Sequence, residues 1–480
     1  MVNANASVTA GTEANCSKRR TYLAAGALAL GSLLGAAGVA EAQSTMGPVP
    51  LPADGSLTIH GVTLYGIVDV GLQYESHGAP FSDYFPAGSA DIVQKNSNKS
   101  QFGATPSNMS QSRVGLQGIE PLGAGDWFGV FKIETFFNPQ SGEISDALKS
   151  LAVNNGRLLA NQTTNLDSSI AGQIFQQAIV GVSSKTFGSL TFGRQNTLLA
   201  DGIAKYDPQG ASQAFSLIGL SGTTAGAGDT EDRRLDNSLK YVEQYGPVHG
   251  GVEYKFNGGT GAANTAVEAE IGAEYLGASI DAVYAHVRDA IAAGALSAAQ
   301  VADLPALGFS PSNSLTGTIS DNTSYSVFAL YNFGAPKIFA GYEHIQFSNP
   351  TTPLAAGFDD IGGYKLAFVN ITAFPNDKIL QVYWAGGKYT VLSKLDLVAA
   401  YYGYHQNAYG AGADAGCTTT KSGTCSGTEL ALSFSADYRF SKRFDIYAGA
   451  MYTSVSNGLA SGFVYNTTNI DPTVGFRFRF

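Results

Sequence analysis

Apolar and polar residues alternate over long stretches of the chain. In residues 429–440, ELALSFSADYRF, every second side chain is apolar, and residues 61–75, GVTLYGIVDVGLQYE, repeat the pattern. Successive side chains of a strand point to opposite faces, so a period of two indicates strands with one apolar and one polar face. The sequence therefore predicts an all-β fold.

Short and long connections alternate between these segments. The short ones are EPLGAGDW, SSKTFGS, QYGPVHG, EYLGAS, NFGAPK, VLSKLD and RFSKRFD, and the long ones are residues 76–110, 139–172, 197–232, 258–265, 290–322, 348–378, 406–427 and 456–469. Seven short and eight long connections require sixteen antiparallel strands, the pattern of an outer-membrane barrel with short periplasmic turns and long outer loops. A soluble β-sandwich is the alternative. The regular asymmetry and the export signal described next favour a transmembrane barrel, which is closed because lipid leaves no backbone group unpaired.

The N-terminus has the features of an export signal. A basic cluster, Lys18 to Arg20, precedes the uncharged stretch 23–40, and Ala40-Glu41-Ala42 is a small-x-small cleavage pattern. A membrane anchor is the alternative, because about 18 apolar residues is the lower limit for spanning. We expect a removed signal peptide at 1–42, a linker at 43–56 and the barrel at 57–480.

Charge and cysteines agree with an exported protein. The formal charge of −10 becomes −11 when residues 1–42, with three basic and two acidic residues, are removed. An acidic exported chain is a poor candidate for nucleic-acid binding. Cys417 and Cys425 lie in a Gly/Ser/Thr-rich stretch, and we expect a disulfide between them; a zinc site is the rival, but no histidine lies nearby.

Five segments resemble one known family in the expected order. They are SRVGLQGIEPLGAGDWFGVFKIE, VGVSSKTFGSLTFGRQ, RRLDNSLKY, SADYRFSKRFDIYAGAMYTSVSNGLASG and TVGFRFRF. Together they resemble the general diffusion porins of Gram-negative bacteria, most closely those of β-proteobacteria, from about Val62 to Phe480. The resemblance implies a homotrimer in contact with outer-membrane lipid and lipopolysaccharide. It also implies a third long loop that folds into the lumen and forms a constriction.

The resemblance implies that acidic residues on this loop face basic residues on the wall. By position the loop is residues 197–232, and its carboxylates are Asp201, Asp207, Asp229, Glu231 and Asp232. Alternation turns inward the four candidate basic residues Arg113, Lys132, Arg234 and Lys240, and it places Leu235 with Leu239 on the outer face. Before AIVG the family often has an inward arginine, where this chain has Gln176.

Arg194 shares its parity with Leu190 and Phe192, so it is expected to point outward, as a subunit contact or loop anchor. An arginine at a strand end that reaches water is the alternative. In TVGFRFRF the phenylalanines are expected to face lipid, with Arg477 and Arg479 towards the lumen. By resemblance, the terminal Phe480 is a signal for the β-barrel assembly machinery; an interfacial aromatic is the simpler interpretation.

The expected function is passive diffusion of small hydrophilic solutes and ions through a water-filled channel. A sugar-specific channel and an outer-membrane hydrolase are the alternatives, and surface adhesion is compatible with the long loops. None of the six histidines lies in a G-x-S-x-G or H-E-x-x-H context. The sequence therefore predicts no enzyme activity, no cofactor and no metal site, and it leaves ion preference open.

Overall fold

The fold is described from a computed structural model. The model describes residues 57–77, 100–140, 142, 144, 174–220, 233–257, 265–294, 303–308, 314–351, 360–361, 364–417, 423–461, 463 and 465–480. The expected signal peptide and linker lie outside the described residues. Within the described part, no helix is both long and apolar enough to cross a membrane.

Sixteen strands can be traced through the described residues. They are β1 Val62–Glu75, β2 in two pieces (Gln101–Pro106 and Arg113–Pro121), β3 Trp127–Phe136, β4 Gln177–Ser184, β5 Gly188–Asn196, β6 Arg234–Tyr245, β7 Val248–Lys255, β8 Ala266–Tyr275, β9 Ala278–Gly294, β10 Ser314–Asn332, β11 Pro336–Ser348, β12 Lys378–Val391, β13 Leu395–Gln406, β14 Gly427–Arg439, β15 Phe444–Asn457 and β16 Thr468–Arg479. Each pairs antiparallel with its neighbour, and β16 pairs with β1, from Ile67 opposite Arg479 to Gln73 opposite Thr473. The predicted closed barrel is confirmed.

The seven predicted short turns are confirmed, because each separates consecutive strands of this barrel. The long connections contain more structure than expected. β9 continues to Gly294 and β10 starts at Ser314, inside the segment expected to be a loop. Residues Tyr364–Asn370 form a further strand that pairs parallel with the start of β10. Small additions are the strands Thr58–Ile59 and Asp360–Ile361 and the 3₁₀ turns Ile218–Leu220, Leu304–Leu307, Gly412–Asp414 and Gly458–Ala460.

The two faces of the barrel differ in polarity. On β1, Leu64, Leu72 and Tyr74 are exposed on the outer face, while Asp69 and Gln73 are buried on the inner face. An apolar band that is exposed in the isolated chain is suited to lipid. The alternation observed in the sequence therefore separates the lipid side from the lumen.

The last residue completes the barrel seam. Phe480 exchanges backbone hydrogen bonds with Gly66, with N···O distances of 3.0 Å in both directions. A Cβ atom at Gly66 would overlap with the Phe480 ring, so the ring lies directly over the glycine. An aromatic side chain over a strand glycine covers backbone that would otherwise be exposed.

Arg477 lies in a buried ion cluster on the inner face. Its Nε is 3.1 Å from Asp445 Oδ1, its Nη2 is 3.0 Å from Asp437 Oδ2, and its Nη1 donates to Ser110 Oγ at 2.5 Å. Its neighbour Arg479 also binds Asp445 but remains 21% exposed in its side chain. Arg477 therefore ties β14, β15 and β16 to the break in β2 instead of lining open water.

We expect Arg477→Met to destabilise the barrel by about 3–5 kcal/mol, because removal of one member of a buried ion pair leaves carboxylates uncompensated. Urea unfolding of the purified barrel in detergent measures this loss. The matched change Arg479→Met, two residues along the same strand, is expected to cost less because water reaches this side chain. Equal losses in the two variants would contradict the assignment.

The predicted disulfide is confirmed: Cys417 and Cys425 are joined. The strand-end residue Gln406 donates from Nε2 to the Cys425 carbonyl oxygen at 2.8 Å and to the Gly423 carbonyl oxygen at 3.1 Å. The bridged loop is therefore fastened to the end of β13.

Candidate constriction site

Loop 3, residues 197–232, begins with a helix inside the barrel. Helix α1, Leu198–Tyr206, starts where the Thr197 hydroxyl accepts a hydrogen bond from the Ala200 N–H at 3.0 Å, a favourable N-cap. The Leu199 N–H donates to Glu268 Oε2 on β8 at 3.2 Å, so a carboxylate lies at the positive end of the helix. Tyr206 stacks on Phe328 of β10, with ring centroids 5.6 Å apart. These contacts hold the helix against the inner wall of β8 to β10.

The segment after the helix continues along the inner wall. Gln209 donates from Nε2 to Ser433 Oγ at 2.9 Å and accepts from Ser435 Oγ at 2.6 Å, both on β14. Phe215 packs edge-on against Tyr447 of β15, with centroids 6.2 Å apart. The Ala214 N–H donates at 2.8 Å to the Asn108 carbonyl oxygen, in the break of β2. The described part of loop 3 thus spans the interior from β8 to β2.

Asp207 is an anchor of this segment. It is 1% exposed and accepts hydrogen bonds from the Tyr402 hydroxyl at 2.5 Å, the Ala211 N–H at 2.7 Å and the Gln209 N–H at 3.1 Å. Burial raises the pKa of Asp207, opposed by these hydrogen bonds. A carboxylate enclosed in this way holds the loop and is not available to passing ions.

The ends of helix α1 make ion pairs of opposite polarity with the wall. Asp201 of the loop is 2.7 Å from Lys240 Nζ on β6, and Lys240 also donates to the Asn196 carbonyl oxygen. Lys205 of the loop is 2.7 Å from Glu274 and 3.2 Å from Asp281. Lys240 is also 3.9 Å from Glu253 Oε2. Asp201 and Lys240 are therefore in direct contact and do not face each other across water.

Basic side chains of β2, β3 and β6 gather around one carboxylate, Glu134 of β3. Glu134 Oε2 lies 3.6 Å from Arg113 Nε and 3.7 Å from Lys132 Nζ, and it accepts from the Tyr65 hydroxyl at 2.9 Å. Arg234 stacks over the Phe136 ring at 4.7 Å. Arg234 also interacts electrostatically with both Glu134 and Arg113.

Arg113, Lys132, Arg234 and Glu134 form what we call the wall cluster. It has three basic residues and one carboxylate, so its formal charge is three minus one, or +2. The Arg113 side chain is 20% exposed and reaches open space. Fixed positive charge beside a narrow aqueous path raises the local concentration of anions.

The predicted face of Leu235 was wrong. Leu235 is buried in an inner cluster with Ala266 and Val287, whereas Asp236 pairs with Arg194 and has a side chain that is 47% exposed. The cause is an irregularity of β6: Asn237 has φ of 50°, and the register against β5 shifts between Gly193 and Gln195. One additional residue in a bulge reverses the faces on either side of it.

Known proteins show the same architecture. Residues 24–458 match the family model described as Gram-negative porin. The chain belongs to the Gram-negative porin family. This porin is 30% identical over 241 residues to an outer membrane porin protein of Bordetella pertussis, covering 50% of this chain and 48% of that protein. It is 25% identical over 334 residues to outer membrane porin protein 32 of Delftia acidovorans, covering 69% and 70%.

The match to the Bordetella protein spans about half of that relative. Among solved structures, the porin resembles the anion-selective porin from Comamonas acidovorans, with TM-score 0.56 and 18% identity over 87% of this chain and 99% of that one. It also resembles OmpT, an outer membrane protein of Vibrio cholerae, with TM-score 0.54 and 15% identity over 88% and 99%. These likenesses show the fold. The family and the apolar outer face place the porin in the outer membrane of a Gram-negative bacterium.

Three of the loop 3 carboxylates, Asp229, Glu231 and Asp232, lie outside the described residues of the porin. Gln176 is buried beside Glu134, whose carbonyl oxygen accepts from the Gln176 N–H at 2.8 Å. The sequence-based prediction missed Lys205 and Gln209, because helix α1 and the wall residues that bind them lie far apart in the chain. The polar character of residues 207–216, DPQGASQAFS, is the only local signal for this inner contact.

Proposed function

We propose that the porin forms a water-filled channel for passive diffusion of small hydrophilic solutes, and that it prefers anions. The observation that carries the preference is the wall cluster with its formal charge of +2. On loop 3, Asp201 is paired with Lys240 at 2.7 Å, and Asp207 is enclosed by hydrogen bonds. The similar Comamonas protein is named as anion-selective, which supports the same direction.

The porin acts as a channel and not as an enzyme. It functions as a homotrimer, in agreement with the Vibrio OmpT whose structure is titled as a trimer form. Its membrane partners are lipid and lipopolysaccharide. Phe480, at the end of β16 with its ring over Gly66, is recognised by the β-barrel assembly machinery. Arg194, in its ion pair with Asp236, anchors the start of loop 3 to β6.

Planar-bilayer recording tests the channel. Weak, non-saturating interactions predict a conductance that rises nearly in proportion to KCl concentration, with no block by micromolar sugars. A saturating current or micromolar block by one sugar would instead identify a substrate-specific channel.

A further inference from the structure

Three side-chain positions on adjacent strands form a row on the inner wall. His249 of β7 and Asp281 of β9 are both register partners of Gly272, which lies between them on β8. Because Gly272 has no side chain, His249 Nε2 and Asp281 Oδ1 meet above it at 2.7 Å. A Cβ atom at Gly272 would overlap with both atoms. The glycine therefore provides the space in which these two groups meet.

A third potential ligand lies on the same face of β8, two residues before Gly272. A carboxylate oxygen of Glu270, a ring nitrogen of His249 and a carboxylate oxygen of Asp281 all lie within 4.8 Å of one another. Lys205 is bound by Asp281 Oδ2 and Glu274, at 3.2 and 2.7 Å. Among the described residues, no lysine or arginine forms an ion pair with Glu270. Two carboxylates so close together repel each other unless a proton or a cation lies between them.

We propose that His249, Glu270 and Asp281 bind a divalent transition-metal ion on the inner wall of the porin. One imidazole and two carboxylates match the ligands of Zn²⁺, with bonds of about 2.0–2.2 Å and a fourth position left for water. The ion takes the place of the His249–Asp281 hydrogen bond, so that His249 Nε2 and Asp281 Oδ1 each become ligands. The imidazole favours Zn²⁺ over Mg²⁺, which prefers oxygen ligands.

Isothermal titration of tag-free, detergent-solubilised trimer with ZnCl₂ tests the site. We expect one Zn²⁺ per chain, and at least about a tenfold loss of affinity in Glu270→Gln, which leaves the His249–Asp281 hydrogen bond in place. His249→Asn is expected to lose binding to a similar degree. The matched control is His286→Asn on β9, because His286 Nδ1 pairs with Thr323 Oγ1 at 2.9 Å and is not part of the row.

Each variant is first checked for heat-modifiable electrophoretic mobility, so that only folded barrel is titrated. Absence of Zn²⁺ binding at millimolar concentration in the wild type would overturn the proposal. Binding unchanged in Glu270→Gln, or reduced equally by His286→Asn, would also overturn it. The titration measures binding alone, so its result is independent of the ion preference proposed above.

Discussion

Removal of the Asp207 carboxylate is expected to release loop 3 from the wall. In Asp207→Ala the Tyr402 hydroxyl and the Ala211 and Gln209 N–H groups lose their acceptor. Each buried donor left unpaired costs about 1–3 kcal/mol. Since about 1.4 kcal/mol is a factor of ten in an equilibrium constant, the detached population should rise by at least about tenfold.

Single-channel recording detects this release as frequent transitions to a higher conductance. Tyr402→Phe, which removes only one of the hydrogen bonds to this carboxylate, should have a smaller effect in the same direction. Tyr401→Phe is the matched control, because Tyr401 is the adjacent residue on the opposite face of β13 and is 36% exposed. Traces of Asp207→Ala that equal the wild type would show that Asp207 does not hold the loop.

The strands of this porin could be predicted because lipid and lumen impose opposite polarity on alternate residues. The alternation in residues 429–440 corresponds closely to β14, Gly427–Arg439. The face of Leu235 could not be predicted, because the bulge at Asn237 reverses the faces without a signal in the alternation. Residues 290–322 were expected to be a loop, but β9 continues to Gly294 and β10 begins at Ser314, beyond the alternating pattern.

The site was less predictable because its partners are distant in sequence. Asp207 and Tyr402 are 195 residues apart, so no local pattern distinguishes an enclosed anchor from a carboxylate that faces the lumen. The row of His249, Gly272 and Asp281 depends on the register of three strands. In contrast, Arg113 and Lys132 could be assigned to the inner wall, because a charge on the lipid face near mid-membrane costs about 2–4 kcal/mol.

Neutralising the wall cluster is expected to abolish the anion preference. Arg113→Gln with Lys132→Gln reduces its formal charge from +2 to 0, because Arg234 and Glu134 remain. The ratio of chloride to potassium permeability should fall several-fold, since the local concentration of anions follows the fixed charge. Reversal potentials across a bilayer under a KCl gradient measure this ratio.

A control with the same change in total charge separates local from overall effects. Lys185 and Lys394 are exposed residues of two short turns, so Lys185→Gln with Lys394→Gln removes two positive charges outside the wall cluster. We expect this control to keep the wild-type permeability ratio within about twofold, because salt screens exposed charges beyond a Debye length of about 10 Å. An equal shift in both double variants would contradict a role for the cluster.

The wall cluster, and not the overall acidity of the chain, is expected to set the selectivity of the channel. The chain carries a formal charge of −10, so the two explanations predict opposite signs. The most direct measurement is the reversal potential of the wild-type trimer in a planar bilayer under a KCl gradient. The structure predicts a reversal potential with the sign of chloride permeation. A reversal potential with the sign of potassium permeation would contradict this role of the wall cluster.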